Sequence, residues 1–255
     1  MSGTLTIVGV GPGRPELMTP AASAVISRAT DLIGYGPYLD RVITRHPGQV
    51  RHASDNRVEL DRARHALALA NDGRHVAVIS GGDPGVFAMA AAIFEAVEAG
   101  PAAWRDLDIR VEPGVTAMLA AAAEVGAPLG GDFCAISLSD NLKSWATIRC
   151  RLEAAAAADF VIALYNPLSR ARPHQLGEAF ALLREIKPAS TVVVMVRAAG
   201  SGDVRRVITT LGEVVPESAD MRTLVLIGST ATRLITREGR PPFVYTLRRE
   251  LEGGT

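Results

Sequence analysis

The sequence is poor in the residues that mark metal, redox and membrane proteins. It has only two cysteines, Cys134 and Cys150, and their spacing matches no metal or redox motif. Its five histidines are scattered without the short intervals that metal ligands show. No apolar run reaches the roughly 18 residues that a membrane-spanning helix requires. We therefore expect a protein without a resident metal, a redox pair or a membrane span.

The charge balance gives no sign of a nucleic-acid partner. Basic and acidic residues number 27 each, so the formal net charge is zero and the basic surface of a nucleic-acid-binding protein is not expected. Only Lys143 and Lys187 are lysines, and the other basic residues are arginines, which bind carboxylates through two parallel hydrogen bonds. A GC-rich genome explains this bias most simply, and selection for anionic ligands is the alternative.

Composition and the first residues indicate a cytoplasmic globular protein. Hydrophobic residues make up 48% of the chain and charged residues 21%, which is typical of soluble folds. A strand pattern at 5–10 stands where a signal peptide would have a basic segment and an apolar core. The length of 255 residues allows one large domain or two small ones.

Strand and helix patterns alternate along the first half of the chain. Because such alternation favours a parallel sheet covered on both faces, we expect an N-terminal α/β domain over residues 1–130. The segment 126–131, with three glycines and a proline, is the best candidate for a linker. The predicted strands are 4–10, 31–34, 75–80 and 107–112, and the predicted helices are 19–28, 58–70, 86–99 and 115–125.

A second alternating series follows, and we expect a C-terminal α/β domain over residues 131–255. Two neighbouring strands there lack a long connecting helix, which predicts a mixed sheet. The predicted strands are 134–138, 160–164, 191–197, 204–209, 223–228 and 243–246, and the predicted helices are 145–157, 174–186 and a short one at 211–214.

The segment Gly81-Gly82-Asp83-Pro84-Gly85-Val86-Phe87 is the first candidate for a cofactor site. It follows an apolar strand pattern, and open α/β sheets bind ligands beyond the carboxyl ends of their strands. Glycines let a ligand approach the backbone, and proline stiffens the turn. The plain alternative is a structural turn from strand to helix.

The loop Gly9-Val10-Gly11-Pro12-Gly13 follows the first strand, where a dinucleotide fingerprint would lie. It does not match that fingerprint, because Arg14 stands at the third glycine position and Pro12 removes a backbone donor. We expect a loop that contacts a ligand through Gly11 and Pro12, with a simple tight turn as the alternative.

Polar turns follow other strands of the predicted sheets. Pro113-Gly114-Val115-Thr116-Ala117 repeats the turn-then-helix pattern, although Thr116 alone would be a helix cap. In the second half, Ser137-Leu138-Ser139-Asp140, 165–173 and 197–202 each follow a strand. The segment 165–173 combines Tyr165, Asn166, Arg170 and Arg172, and its plain alternative is a surface loop. A nucleophile elbow, a Walker loop and paired carboxylates on one helix face are all missing from the sequence.

Taken together, these segments resemble the tetrapyrrole (corrin/porphyrin) methylases, which use S-adenosylmethionine. The resemblance covers essentially the whole chain and rests on 9–13 with Glu16-Leu17-Met18-Thr19, on Gly81-Gly82-Asp83-Pro84 and on 113–117. Within that family, Gly34-Tyr35 with Tyr38-Leu39, 137–140 and Tyr165-Asn166-Pro167 are similar to the methyltransferases that act on C17 of precorrin-3B in cobalamin synthesis. One departure is Gly228-Ser229-Thr230-Ala231-Thr232, where the subfamily tends to have an asparagine second.

The resemblance implies a fold, an assembly and a set of binding residues. It implies two α/β domains with the cofactor in a cleft between them, usually as a homodimer. The residues that it assigns to the cofactor are Pro12, Gly81, Gly82, Asp83, Val86, Phe87, Thr116, Ala117, Tyr165, Asn166, Ala198 and Leu224. The residues assigned to the corrinoid substrate are Gly11, Ser139, Arg170, Arg172 and Arg197, the arginines because the ring carries acetates and propionates.

The implied reaction is methyl transfer at C17 followed by ring contraction to precorrin-4. Methyl transfer from a sulfonium needs alignment and exclusion of water more than a strong protein nucleophile. Ring contraction requires the removal of a proton, and Asp83, Asp140 and Tyr35 are the candidate catalytic groups. Their plain alternatives are that Asp83 braces its own turn and that Tyr35 stacks on the ring.

Several alternatives stay open from the sequence. They are methylation at another ring position such as C11 or C20, action on the cobalt-containing factor III, a diphthamide synthase whose substrate is a protein histidine, and a module that binds the cofactor without catalysis.

Overall fold

In a computed structural model, residues 3–42, 46–55 and 58–249 are described, and the chain divides into two compact units, Met1–Ala117 and Met118–Thr255. These compact units are not the same thing as domains, and the domain boundary at residue 130 stays a prediction. Within the described residues, no helix has both the length and the apolar character to cross a bilayer.

The first unit contains a five-stranded sheet in which every pairing is parallel, as predicted. Its strand order is β3-β2-β4-β1-β5, which places β4 at the centre and β1 between β4 and β5. The elements are β1 (Thr4–Gly9), α1 (Pro20–Arg28), β2 (Asp31–Tyr35), α2 (Gly36–Leu39), β3 (Val50–Ser54), α3 (Glu59–Asn71), β4 (His75–Ser80), α4 (Met89–Ala99) and β5 (Asp108–Glu112).

Helices cover both faces of this sheet because successive residues of a strand point to opposite sides. Leu5 and Ile7 of β1 are buried in a cluster with residues of α3 and α4. Val8, on the other face, is buried in a cluster with Ile26 of α1. Because β1 pairs in parallel with both β4 and β5, the carboxyl ends of these three strands lie at the same edge of the sheet.

The second unit contains a mixed five-stranded sheet and a small three-stranded sheet. In the order β10-β9-β11-β8-β7, only the β7–β8 pair is parallel. The smaller sheet has the order β12-β13-β6. The elements are α5 (Ala117–Ala123), which begins at the last residue of the first unit, β6 (Gly126–Ala127), β7 (Phe133–Ser137), α6 (Trp145–Ala157), β8 (Val161–Tyr165), α7 (Gln175–Ile186), β9 (Val192–Arg197), β10 (Arg205–Thr210), β11 (Thr223–Ile227), β12 (Thr232–Arg237) and β13 (Arg240–Thr246).

Two predicted elements differ from the structure for local backbone reasons. The helix predicted from Val86 begins at Met89, because Phe87 has a positive φ of 52° and Ala88 is extended. The short helix predicted at 211–214 is wrong. The amides of Leu211 and Gly212 instead donate to the carbonyls of Thr191 and Ala189, each at 2.8 Å, which makes this segment a turn.

Candidate functional site

The glycine-rich turns of the first unit meet at the carboxyl edge of the sheet. The loop after β1 and the loop after β4 pair through Gly11 and Gly82, whose amides and carbonyls are joined at 3.2 and 2.9 Å. Both glycines have positive φ, 73° and 68°, a conformation that disfavours a side chain. The two loops that the sequence predicted as ligand-contacting are therefore one joined backbone surface.

The turn after β5 packs directly against the same surface. A Cβ added at Gly114 would lie 2.3 Å from the carbonyl oxygen of Gly82, and one added at Gly9 would lie 2.7 Å from the Gly114 amide nitrogen. Contacts this short are forbidden for real side chains, so these turns touch only because both residues are glycines. The ends of three strands, β1, β4 and β5, thus converge at one point.

Asp83 ties two of these turns together. One carboxylate oxygen accepts a hydrogen bond from the Gly85 amide at 2.8 Å, and the other accepts one from the Gly114 amide at 3.0 Å. The side chain therefore reaches from the loop after β4 to the turn after β5, which flank β1 on opposite sides. Both oxygens are already engaged by backbone donors, which favours a bracing role.

An aromatic pair lies beneath the loop after β4. The ring of Tyr38 is so close to Gly81 that an added Cβ would lie 2.5 Å from it. Tyr35 packs edge-on against Tyr38, with ring centroids 5.4 Å apart. The guanidinium of Arg41 lies 5.2 Å from the Tyr38 centroid and donates to the carbonyl oxygen of Pro12 at 3.4 Å. Arg41 and Tyr38 therefore connect the two glycine loops from below.

The remaining predicted cofactor residues of the first unit differ in exposure. Thr116 is buried, Val86 and Ala117 are half-buried, and Phe87 is half exposed at 50%. A bulky residue with positive φ is rare, because its Cβ crowds the neighbouring carbonyl. Phe87 therefore holds a strained conformation at the rim of the glycine surface, a feature that is common at functional sites.

In the second unit, the predicted residues of β7 and β8 lie side by side. Ser137 is paired with Tyr165 in the parallel ladder, and the side-chain amide of the next residue, Asn166, donates to the Ser137 hydroxyl at 2.9 Å. Asn166 has a positive φ of 52°. The carbonyl oxygen of Asn166 accepts a hydrogen bond from the guanidinium of Arg172 at 3.1 Å.

Tyr165, Ser139 and Asp140 each have a defined place near these strand ends. The hydroxyl of Tyr165 accepts a hydrogen bond from the Met118 amide at 3.1 Å. Half-buried Ser139 donates its amide to the Ser137 hydroxyl at 3.3 Å. Asp140 accepts a hydrogen bond from the Gln175 side-chain amide at 3.1 Å through one oxygen.

The end of β9 carries the third predicted loop of this unit. Arg197 donates from Nε to Asp220 at 2.7 Å. Burial would raise the pKa of Asp220, but hydrogen bonds from Arg197, Thr223 and the Arg222 amide outweigh it and hold that pKa below its usual range. Ala198 has a positive φ of 52° and donates its amide to the Arg222 carbonyl at 2.9 Å. Leu224 of β11 is buried and is paired with Val196 of β9.

Three partners of these residues were not predicted from the sequence. Tyr38 lies in one of the segments that carry the family resemblance, but the sequence analysis assigned it no role. Gln175 and Asp220 lie 35 and 23 residues from the groups that they bind, and nothing local in the sequence marks them. Only knowledge of the strand order could have found them.

Two further observations concern ligands. In the part of the chain that the structure describes, no three of the histidine, cysteine, aspartate and glutamate side chains cluster so as to hold a metal ion. An open apolar depression of about 470 Å³ lies on the second unit. It contains no predicted site residue and is lined by Cys134, Ile136, Arg151, Ala154, Ala155, Ala158 and Phe160.

Comparison with known families gives one match over most of the chain. Residues 4–215 match the family model of the tetrapyrrole (corrin/porphyrin) methylases. The chain is 58% identical over 248 residues to a precorrin-3B C(17)-methyltransferase from Sinorhizobium sp, and the alignment covers 97% of each protein. It is 40% identical over 245 residues to a probable cobalt-factor III C(17)-methyltransferase from Salmonella typhimurium, covering 95% of this chain and all of that protein.

A longer relative and two solved structures extend this picture. The whole chain aligns with half of the cobalamin biosynthesis protein CobIJ from Mycobacterium tuberculosis, at 46% identity. The crystal structure of the methyltransferase CobJ superposes with a TM-score of 0.91 and 50% identity, covering 96% of this chain and all of that one. A uroporphyrin-III C-methyl transferase from Thermus thermophilus, complexed with S-adenyl homocysteine, shares the fold at a TM-score of 0.69 and 23% identity, covering 94% of this chain and 97% of that one.

Proposed function

Because the chain belongs to the tetrapyrrole (corrin/porphyrin) methylases, we propose that it methylates precorrin-3B at C17 and contracts the ring to precorrin-4 in cobalamin synthesis. The observation that carries this proposal is the 58% identity to a precorrin-3B C(17)-methyltransferase over 97% of both proteins. The superposition on the methyltransferase CobJ, at a TM-score of 0.91, supports methyl transfer as the activity but does not by itself identify the substrate.

We propose S-adenosylmethionine as the methyl donor and the joined glycine turns as its main contact surface. Gly81 and Gly114 let these turns pack closely against Tyr38 and against Gly82, and all three glycines are half-buried, which suits a ligand held by backbone hydrogen bonds. When bound, the donor supplies a methyl group that its sulfonium already activates. Pro12, Asp83, Val86, Phe87, Thr116 and Ala117 from the first half, and Tyr165, Asn166, Ala198 and Leu224 from the second, are the other residues that we assign to it.

The protein's own contribution to methyl transfer is alignment and exclusion of water. A displacement at carbon needs nucleophile, methyl and leaving sulfur in line, and positioning alone can supply a large part of the rate. The hydrogen bonds of Asp83 and the Gly11–Gly82 pair make the turns rigid before a ligand arrives. A preorganised backbone surface of this kind fits that task.

For ring contraction, we propose Asp140 as the proton acceptor. Both oxygens of Asp83 accept backbone hydrogen bonds, whereas Asp140 accepts one described hydrogen bond, from Gln175 to Oδ2. The hydrogen bond from Gln175 fixes the orientation of the Asp140 carboxylate. Tyr35 is the second candidate, and its packing against Tyr38 also suits a role in stacking on the substrate ring.

We propose that Gly11, Ser139, Arg170 and Arg197 contact the substrate. Arg170 is exposed at the turn after β8. The described hydrogen bond from Arg197 to Asp220 uses only the Nε of the guanidinium. Arginine pairs bidentately with carboxylates, and the substrate carries several. The contacts of Arg172, which is buried, point to a different role.

The family resemblance also supports three assignments about the whole protein, which we include in the proposal. They are two domains over residues 1–130 and 131–255 that both supply cofactor residues, a homodimer, and a cytoplasmic location. Analytical ultracentrifugation of the purified chain tests the dimer, and cell fractionation tests the location.

The decisive experiment is a product analysis with precorrin-3B and cobalt-factor III side by side. We expect S-adenosylmethionine-dependent conversion of precorrin-3B to a product whose NMR spectrum shows a C17 methyl group and loss of C20 from the ring. The 40% identity to a probable cobalt-factor III C(17)-methyltransferase makes the cobalt substrate the competing candidate. A product that retains C20 in the ring, or turnover of the cobalt substrate alone, would overturn the proposal.

A further inference from the structure

Two arginines of the turn after β8 have opposite surroundings. Arg170 is exposed, whereas Arg172 is only 8% exposed. The backbones of Ser169 and Arg172 bond to each other at 3.0 and 3.2 Å, which closes the turn and directs the Arg172 side chain inward. Arg170 and Arg172 received the same role from the sequence, but the closed turn gives them different surroundings.

The guanidinium of Arg172 contacts main chain rather than a carboxylate. Its Nη1 donates to the carbonyl oxygen of Asn166 at 3.1 Å. Within 3–42, 46–55 and 58–249, none of the ion pairs involves Arg172. A buried cation is retained only where its hydrogen bonds compensate for lost hydration, so this contact is a specific one.

Asn166 is held in an uncommon conformation from two directions. Its φ of 52° lies in the left-handed region, where asparagine is tolerated better than most residues. Its side-chain amide is anchored to the Ser137 hydroxyl at 2.9 Å, and its carbonyl is anchored to Arg172. Together the two anchors fix both the side chain and the peptide plane of Asn166.

We infer that Arg172 is a positioning residue that holds Asn166 in its cofactor-binding conformation, and that it does not bind substrate carboxylates. The inference rests on the proposed function, which assigns Asn166 to the methyl donor. Loss of the Arg172 donor frees the Asn166 peptide to leave the left-handed region. The consequence falls on the affinity for the cofactor and leaves recognition of the tetrapyrrole intact.

The test compares Arg172→Met with Arg172→Lys and with the exposed control Arg170→Met. Binding of S-adenosylhomocysteine is measured by titration calorimetry, and KM for precorrin-3B is measured at saturating S-adenosylmethionine. We expect Arg172→Met to raise the Kd for S-adenosylhomocysteine by about tenfold, the effect of losing one charge-assisted hydrogen bond. Arg172→Lys keeps a charged donor and restores most of the affinity, and Arg170→Met leaves that Kd within about twofold of the wild type.

An unchanged Kd for S-adenosylhomocysteine together with a raised KM for precorrin-3B in Arg172→Met would overturn the inference. If Arg172→Met does not fold, Arg172→Gln removes the charge but keeps a donor, and the same two constants decide between the roles. Ser137→Ala loosens Asn166 from the other side and is expected to weaken S-adenosylhomocysteine binding as well. A wild-type protein that binds S-adenosylhomocysteine but does not convert precorrin-3B refutes the proposed function, and the comparison of binding among the variants still stands.

Discussion

Asp83 is the residue on which the glycine surface depends most directly. Replacing it with alanine leaves the amides of Gly85 and Gly114 without their acceptor and uncouples the two turns. We expect Asp83→Ala to raise the Kd for S-adenosylhomocysteine by tenfold or more, while the melting temperature falls by only about 2–6 °C. Calorimetric titration and thermal unfolding of the same preparation measure both quantities.

Measuring melting temperature and Kd together distinguishes a role of Asp83 in cofactor binding from a role in the fold alone. A large fall in melting temperature with normal kinetics per folded molecule would show that the carboxylate only supports the fold. Asp61→Ala is a suitable control, because that carboxylate is exposed in α3 and takes part in a surface pair with Arg64. Surface pairs of this kind contribute little to stability.

Asp140 offers a prediction about catalysis that is independent of cofactor binding. Asp140→Asn keeps an oxygen that accepts the hydrogen bond from Gln175, so the fold and the Kd for S-adenosylhomocysteine should change little. It removes the group that we propose as proton acceptor, and formation of precorrin-4 should slow by about 10²–10⁴-fold. Single-turnover absorption spectra follow that step. A rate within a few fold of the wild type would shift the role to Tyr35.

At the residue scale, the sequence could predict local partners but not distant ones. The contact of Asp83 with Gly85, two residues away, follows from the turn chemistry of aspartate. Its contact with Gly114, 31 residues away, depends on β4 and β5 flanking β1. The burial of Arg172 beside the exposed Arg170 likewise depends on how one turn closes, which composition does not reveal.

At the scale of elements, strong periodic patterns were predicted well and irregular ones were not. The predicted bounds of β4 and α6 agree with the structure, because an apolar run defines the strand, and a capping Ser144 and an alanine-rich end define the helix. The strand β3 was not predicted, since its sequence, Val-Arg-His-Ala-Ser, is largely polar and it lies at the sheet edge with mostly exposed residues. The strand β12 was missed for a similar reason, with three exposed positions in a row.

The convergence of three strand ends gives a prediction at this scale. Gly114→Ala places a Cβ 2.3 Å from the Gly82 carbonyl oxygen, so the turn after β5 must move away from the loop after β4. We expect a fall of about 3–10 °C in melting temperature and a clear loss of S-adenosylhomocysteine affinity. Gly36→Ala is the matched control, since a Cβ there meets nothing within 4 Å. Equal behaviour of the two variants would show that the turns need not touch.

At the scale of the molecule, the predicted α/β class with one parallel and one mixed sheet is confirmed, and the superposition on the methyltransferase CobJ agrees with it. The rhythm of strands and helices carries that information because it requires no knowledge of distant contacts. The far end of the first sheet was not predicted to hold anything special. There, buried Asp31 at the start of β2 is bonded by Arg74 at 2.8 and 3.1 Å, by Thr30 at 2.7 Å, and lies 2.9 Å from His52 Nε2.

This cluster makes the folding stability of the protein depend on pH. Burial alone would raise the pKa of Asp31, but the hydrogen bonds from Arg74, Thr30 and His52 lower it to about 2. An unfolded aspartate titrates near pH 3.9. Because the folded pKa is the lower one, the unfolded chain takes up the proton first as the pH falls. Asp31 therefore stabilises the fold fully above about pH 4 and loses that contribution towards pH 2.

The pKa difference corresponds to about 2 kcal/mol of folding free energy from Asp31 at neutral pH. Asp31→Asn removes the titrating charge, so its melting temperature should be about 4–8 °C below that of the wild type at pH 7. The gap between the two proteins should narrow as the pH falls from 4 to 2, because the wild type alone loses the Asp31 contribution. Thermal unfolding at pH 7, 4, 3 and 2 measures this gap. A gap that stays constant across the series would show that the Arg74 and His52 contacts do not stabilise the charged form of Asp31.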